Sequence, residues 1–423
     1  MAERESHQFW KWLNMTDCIV VGAGMVGVGT ALALQERGWS VLLVDRSGPG
    51  TETSYGNAGI IQTEAVSPYA LPRAPLELLR AAFGANNQVA WRLRDMPRQV
   101  GPLWRYWHNS EAGRHRTASQ FYARMIRRAA DDHAPLIEAA GAENLIRRAG
   151  LRELHRSARS FDLSARDAEL KRQEFGVASI IEDGKAVSAA EPSLKANLAG
   201  AIHWTDPWSC SDPGALVQSY ASLFVKRGGT FVQGDARGLR QDGSGWQIDT
   251  ADGPHAARHV VLALGPWSPE ILRTFGYKIP LVIKRGYHQH FSGAGPKVPV
   301  LDVSNSTVAT PMRAGLRILT GAELTPLGSV ARHEQLNRSI KAISELFDIG
   351  APVEHTPWFG SRPCMPRMLP VVGEAPRHKG LWLNFGHGHQ GFTLGPTTGR
   401  ILAERMTGEP EDAKLYSALA LRH

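Results

Sequence analysis

The spacing of apolar positions changes character within the first sixty residues. Cys18-Ile-Val-Val is a short, largely β-branched run that leads into glycines, the pattern of a buried parallel strand and its turn. A helical stretch follows from about 25 to 37, with Ala31, Leu32 and Leu34 available for packing and Gly38 at the C-cap place. Ser40-Val41-Leu42-Leu43-Val44 predicts the next strand, closed by Asp45. Residues 65–160 read as helical, with Trp91, Trp104 and Trp107 set among arginines and expected to pack in the core. Ala201-Ile202-His203-Trp204 predicts a strand, and Asp212-Pro213 a helix entry, Asp capping and Pro tolerated at the first position. That helix should pass Leu216, Tyr220 and Leu223 and stop at Gly228-Gly229. Further strands are predicted at Thr230-Phe231-Val232, at 259–264 and at Leu381-Trp382-Leu383-Asn384-Phe385, and a hairpin turns at 313–315. Pro396 is expected to start a last helix reaching about Met406.

The chain has 423 residues, enough for two domains or one large one. Its apolar and charged shares are ordinary, which excludes a disordered chain, a coiled coil or a fibre. A net charge of +8 over this length is a mild excess with no Lys/Arg stripe, so nucleic acid is not an expected partner. Cys18, Cys210 and Cys364 are dispersed and form no CxxC pair, which fits neither a disulfide framework nor a zinc site and suits the cytoplasm. The run 18–34 falls short of the ~20 apolar residues of a membrane span. The acids Glu3, Glu5 and Asp17 in the leader argue against a signal peptide. Residues 1–14 are expected to form a flexible extension whose Phe9, Trp10 and Trp12 allow peripheral membrane contact at most, on the inner face. The His-x-His pairs 288/290 and 387/389 have no acid or Cys partner in their pattern, so no metal is expected.

Gly22-Ala23-Gly24-Met25-Val26-Gly27 is a GxGxxG between a predicted strand and a predicted helix. Gly22 allows the tight turn, Gly24 lets backbone approach a pyrophosphate, and Gly27 lets helix and strand pack closely, while the N–H groups of Met25, Val26 and their neighbours open the helix toward phosphate. Asp45 stands 21 residues after Gly24, where an acid accepts bonds from the ribose hydroxyls and disfavours a 2′-phosphate despite the neighbouring Arg46.

Thr53-Ser54-Tyr55-Gly56-Asn57-Ala58-Gly59 is a loop of small residues that suits a planar ring system, with an Asx turn at Asn57 compatible with that use. It resembles the Ser-x-x-Asn-Ala-Gly stretch of FAD-dependent D-amino acid dehydrogenases, in the amine-oxidising flavoprotein family of D-amino acid oxidase, glycine oxidase and sarcosine oxidase. The resemblance continues through Glu191-Pro192-Ser193-Leu194, Gly265-Pro266-Trp267-Ser268 and Lys284-Arg285-Gly286-Tyr287-His288. It reaches Gly360-Ser361-Arg362-Pro363 and the closing Gly386-His387-Gly388-His389-Gln390-Gly391-Phe392-Thr393. The resemblance implies an α/β fold: a Rossmann-type FAD-binding domain assembled from 15–64, 210–268 and 356–423, and an α+β substrate domain with a mixed sheet from 65–209 and 269–355. It implies FAD contacts at Thr53, Ser54, Asn57, Ala58 and Gly59, at Ala236 beside the adenine, at Gly265 and Trp267, and at Gly388, Gln390, Gly391 and Thr393. Arg362 would grip the substrate carboxylate, a task that suits a planar, permanently charged guanidinium. Tyr287 would bond the substrate and His387 would touch flavin or substrate. Where the family continues Pro-Asp-Gly-x-Pro, this chain has Pro366-Arg367-Met368-Leu369-Pro370, which sets a second cation at the site or on its rim. Cys364 is offset from the position of covalent flavin attachment in some relatives, so noncovalent FAD is expected.

The implied activity is oxidation of the Cα–N bond of a D-amino acid or cyclic imino acid, D-proline or hydroxy-D-proline included, by hydride transfer to flavin N5. The product would be an imine or 2-oxo acid, and the acceptor a quinone or carrier protein. A secondary-amine oxidase or demethylase, a nucleic-acid-modifying flavin domain and a non-catalytic FAD subunit are the alternatives.

Overall fold

The computed structural model describes residues 15–73, 87–409 and 412–422. The expected extension at 1–14 lies outside them. A seven-stranded sheet holds, in order, Thr16–Val21, Val41–Asp45, Thr230–Asp242, Gly245–Thr250, Gly253–Leu262, Leu381–Phe385 and Val371–Glu374, with Thr16–Val21 also paired to Gly253–Leu262. Its parallel centre is buried on both sides. Cys18, Val20, Leu43 and Val261 face one apolar cluster, and Ile19, Val21, Leu42, Val260 and Leu262 face another. Period-two side-chain alternation explains the split, and burial of both faces explains why these strands are continuous apolar runs. The helices Met25–Gln35, Pro213–Lys226 and Gly391–Met406 contribute to the first cluster. Asp212 caps the second of them, its Oδ1 accepting from Ala215 N at 3.0 Å with Pro213 at the first position, as its sequence predicts.

A ten-stranded, mostly antiparallel sheet is built around Val282–Phe291, which pairs with Gly315–Leu319, Ala322–Leu324 and Trp358–Cys364. The predicted hairpin is present as Thr307–Met312 and Gly315–Leu319. A three-stranded sheet joins Ile60–Ile61, Trp208–Cys210 and Ile146–Arg147.

Three expectations are corrected. The stretch 65–160 holds the helices Met96–Asn109 and Ala112–Ala139 but also the strands Val89–Trp91, Ile146–Arg147 and Leu151–His155. Leu151–His155 was hidden by its charges: Arg152 is buried there because Glu182 and Glu191 accept from it at 2.8 Å each. The segment 356–423 does not enter the seven-stranded sheet as one piece, since Trp358–Cys364 completes the other sheet. The last helix starts at Gly391, with Pro396 inside it. A proline leaves the carbonyl four residues back without its helical donor. Here that carbonyl, Phe392 O, lies 3.1 Å from Nε2 of the buried His133, whose Nδ1 lies 2.9 Å from the Tyr220 hydroxyl. Burial pushes His133 down to about 4, so the ring is neutral and Nε2 carries the donated hydrogen.

Candidate active site

Both glycine-marked ends of the chain open on one cavity of about 1720 Å³. At the first end Gly22 has φ +111°, and a Cβ there would lie 2.5 Å from Ala263 O. A Cβ on Gly27 would lie 1.7 Å from Gly22 O, so this glycine permits the close packing its spacing predicts. Gly24 caps the helix without a side chain, and Met25 N is bonded to Ser54 Oγ at 3.1 Å. Asp45 Oδ2 accepts from Ala23 N at 2.6 Å, tying the second strand to the turn. A carboxylate keeps further lone pairs for a ligand. Arg46 stacks 4.4 Å from the Trp267 ring centre.

The loop 53–59 is fixed from two sides. Asn57 makes the expected Asx turn, its Oδ1 accepting from Gly59 N at 2.9 Å. The buried Arg317 donates to Tyr55 O at 2.9 Å and to Asn57 O at 2.6 Å. Its Nε donates to His290 Nε2 at 2.9 Å, and His290 Nδ1 lies 2.9 Å from Glu354 Oε1. Sequence reasoning missed Arg317, because nothing local links it to a loop 260 residues away. His288, His290 and Glu354 place one ligand atom each within 4.8 Å. Both ring nitrogens of His290 are engaged, however, and the Arg317 cation stands where a metal would need to approach.

At the other end, Gly29, Gly395 and Gly399 let the helices Met25–Gln35 and Gly391–Met406 cross in backbone contact. A Cβ on Gly399 would lie 2.7 Å from Gly29. The crossing directs two helix N-termini at one cavity. The strand carrying Arg362 reaches the same place. Gly388 N donates to Pro363 O at 2.8 Å, and Cys364 bridges to His387. Arg362 lies over Gly286, where a Cβ would meet its guanidinium at 2.5 Å, and donates to Gly321 O at 2.9 Å.

Of the expected site residues, Gly22, Gly24, Met25, Val26, Asp45, Arg46, Thr53, Ser54, Asn57, Ala58, Ala236, Gly265, Trp267, Tyr287, Arg362, His387, Gly388 and Gly391 border the cavity. Gly27, Gly59, Gln390 and Thr393 stand behind its wall. Gln390 Nε2 donates to Gln62 Oε1 at 2.8 Å, and Thr393 Oγ1 accepts from Gln62 N at 3.2 Å. The Tyr287 hydroxyl is turned away from Arg362. It donates to Glu323 and accepts from Arg332 N at 3.1 Å, on the strand face opposite Lys284. His387 Nε2 lies 2.9 Å from Thr398 Oγ1, whose own hydrogen goes to Leu394 O, so Nε2 is the protonated nitrogen. Burial holds its pKa at about 3, a neutral ring.

Arg367 is not a second cation at the site. It donates to Ala418 O at 2.9 Å, against the helix Ala413–Leu419. Its neighbour Met368 takes φ +62° where the family pattern has glycine. The second cation is Lys284, directly across the strand pair from Arg362. Glu64 was also missed. It is buried at the cavity wall, Oε1 accepting from Gln62 at 2.8 Å and Oε2 without a partner among the described residues, and burial raises it to about 7. Trp104 and Trp107 line the mouth instead of the core, while Trp91 packs, partly buried, against the apolar cluster of Tyr106, Val282 and Leu324. Trp104 is 63% exposed and stacks on Trp107.

A family profile described as DAO, FAD dependent oxidoreductase, matches residues 17–405. A D-amino acid dehydrogenase of Cereibacter sphaeroides is 32% identical over 411 residues, covering 92% of this chain and 91% of the relative. A D-amino-acid oxidase of Bradyrhizobium diazoefficiens is 29% identical over 412 residues, covering 94% and 96%. Among solved structures, glycine oxidase from Geobacillus kaustophilus superposes with a TM-score of 0.72 at 22% identity, over 97% of this chain and 99% of that one.

Proposed function

Since the chain belongs to the FAD-dependent oxidoreductase family named DAO and is an FAD enzyme, we propose that it dehydrogenates a D-amino acid at the Cα–N bond. The residues present fit the cofactor. Gly22 and Gly27 stand where any Cβ would collide, the helix opening at Met25 faces the cavity, and Asp45 and Ala236 border its far end. Thr53, Ser54, Asn57, Ala58, Gly388 and Gly391 would hold the rest, and the N–H groups opening Gly391–Met406 would favour negative charge on the reduced ring. FAD, when bound, supplies a two-electron acceptor for hydrogen leaving carbon.

The protein's own part is positioning. Arg362 makes a bidentate pair with the substrate carboxylate and fixes the direction of the Cα–H bond. Apolar walls from Leu71, Trp91 and Leu324 exclude water around that pair. The substrate nitrogen reacts as the neutral amine, its proton passing to solvent through the mouth. His387, neutral and bonded to Thr398, shapes the wall without carrying charge. The mouth is lined by Leu93, Val100 and Trp104, all exposed, which favours an apolar acceptor such as a quinone over direct use of oxygen.

The observation that carries the reading is Arg362 beside the His387–Gly388 turn, on the wall of the cavity that the glycine fingerprint opens. Anaerobic mixing of the holoenzyme with D-, L- and N-methyl amino acids while following flavin absorbance tests it. D-substrates should bleach the flavin, and Arg362→Ala should lower kcat/KM about 100-fold or more, as loss of a charge-assisted pair of about 3 kcal/mol requires. Bleaching by L-substrates alone would overturn the assignment.

A further inference from the structure

Lys284 and Arg362 face each other in the antiparallel pairing of Val282–Phe291 with Trp358–Cys364. Residues so paired project from one face, with Cβ atoms ~4.5–5.5 Å apart. Both line the cavity. The Lys284 ammonium lies 4.4 Å from the Tyr106 ring centre and 3.4 Å from its hydroxyl. Burial works against its charge, but the Tyr106 hydroxyl and ring face act the other way, and its pKa stays above the ordinary lysine value.

Among the described residues no carboxylate answers either cation. The groups acting on Lys284 are Tyr106, Cys364 and Arg362, and those acting on Arg362 are Cys364 and Tyr69. Glu323 is across from Arg285 and is taken up by Tyr287 and Arg92 on the other face. Glu64 and Glu153 border the cavity, and neither forms an ion pair with the two cations. His389 adds no charge: burial, then Arg362 and Lys284, push it down to about 3. The Cys364 thiol stays protonated, because burial raises its pKa. Among the described residues, this wall therefore carries two positive charges and no negative one. An uncompensated charge at a desolvated wall costs several kcal/mol. One carboxylate answers one cation and leaves the other.

We propose that the site selects an acidic D-amino acid, with the α-carboxylate on Arg362 and a side-chain carboxylate on Lys284. This rests on the reading that Arg362 holds the α-carboxylate. It replaces the D-proline type of substrate implied by the sequence with a dicarboxylate. The division of labour suits the two residues. The guanidinium fork fixes the reacting carbon's carboxylate bidentately, and the ammonium, a point charge on a flexible stem, accepts side chains of either aspartate or glutamate length.

The test compares kcat/KM of the holoenzyme for D-glutamate and D-aspartate with that for D-alanine and D-proline, in wild type, Lys284→Met and Lys284→Arg. The acidic substrates should lead in wild type by at least tenfold. Lys284→Met should lower their kcat/KM at least tenfold more than that of D-alanine, and Lys284→Arg should recover part of the difference. Neutral substrates leading in wild type, or an equal loss for both classes in Lys284→Met, would overturn the proposal, the latter because Lys284 would then serve the α-carboxylate or the flavin. A second readout needs no turnover. Succinate should perturb the oxidised flavin spectrum at least tenfold more tightly than propionate in wild type and lose that advantage in Lys284→Met; equal affinities would overturn it. If no D-amino acid bleaches the flavin, the proposed reaction fails, while the succinate titration still decides whether two anions are bound.

Discussion

Glu64 carries one carboxyl oxygen bonded to Gln62 and one with no partner among the described residues, at a position buried by the cavity wall. Its pKa rises from 4.5 in the unfolded reference to about 7, chiefly because burial penalises the anion. Between those values the folded chain binds more protons than the unfolded one, so stability falls as pH rises through that window. The loss is complete just above pH 7 and amounts to about 3 kcal/mol at most. Glu64→Gln should therefore match wild type in thermal midpoint near pH 4 and exceed it at pH 8. A margin that does not change with pH would contradict this. Met368 shows another cost at the same scale. A left-handed φ on a side chain costs about 1–2 kcal/mol, and the burial of Met368 among Val282, Leu324 and Cys364 offsets it.

At the scale of elements, the site depends on two helices touching backbone to backbone. Gly29, Gly395 and Gly399 form the contact, and each would place a Cβ within 3.0 Å of another residue's backbone. Gly399→Ala should separate the helices, lower stability by about 1–3 kcal/mol as overpacking does, and weaken FAD retention because both N-termini shift. Gly101→Ala in the helix Met96–Asn109 is the control, since a Cβ there meets nothing within 4 Å. It should be neutral or slightly stabilising. Thermal melts and flavin content after dialysis read both, and equal behaviour of the two variants would sink the argument. The glycines of the closing motif were legible as a flavin-facing stretch. The packing use of Gly395 and Gly399, just beyond that stretch, was not, because it depends on Gly29 more than 360 residues earlier. The start of Gly391–Met406 was also misread, because His133 serves a carbonyl that a proline would otherwise leave bare.

Across the whole molecule, the seven-stranded sheet supplies the end of the cavity at the glycine turn and the ten-stranded sheet the wall with Arg362 and Lys284. The strand Trp358–Cys364 joins the two through the Cys364–His387 bridge. Cys364 stands at that junction as a buried thiol. Burial raises its pKa more than Lys284 and Arg362 lower it, so it offers no thiolate for a bond to flavin. Acid precipitation of the holoprotein should leave the yellow colour in the supernatant, and colour in the pellet would show a covalent link. Among the described residues, no helix is long and apolar enough to cross a membrane. Exposed apolar side chains stand where the cavity opens, at Leu93, Val100 and Trp104, as well as elsewhere on the surface, at Leu163 and Ile180 among others.

The amino-acid sequence alone determined the end of the cavity at the glycine turn. Strand, glycine turn, helix and acidic strand end lie within thirty residues, and each depends on local backbone geometry that residue type dictates. It also marked Arg362, through a motif continuous in the chain. Tertiary structure decided the end that carries Arg362. Lys284 faces Arg362 only through the register of two strands about 75 residues apart, Tyr287 is turned away by the same alternation, and Arg317 reaches its loop across 260 residues. Local pattern fixes which face of a strand is apolar, but which strands pair, and in what register, is set by packing of the whole chain.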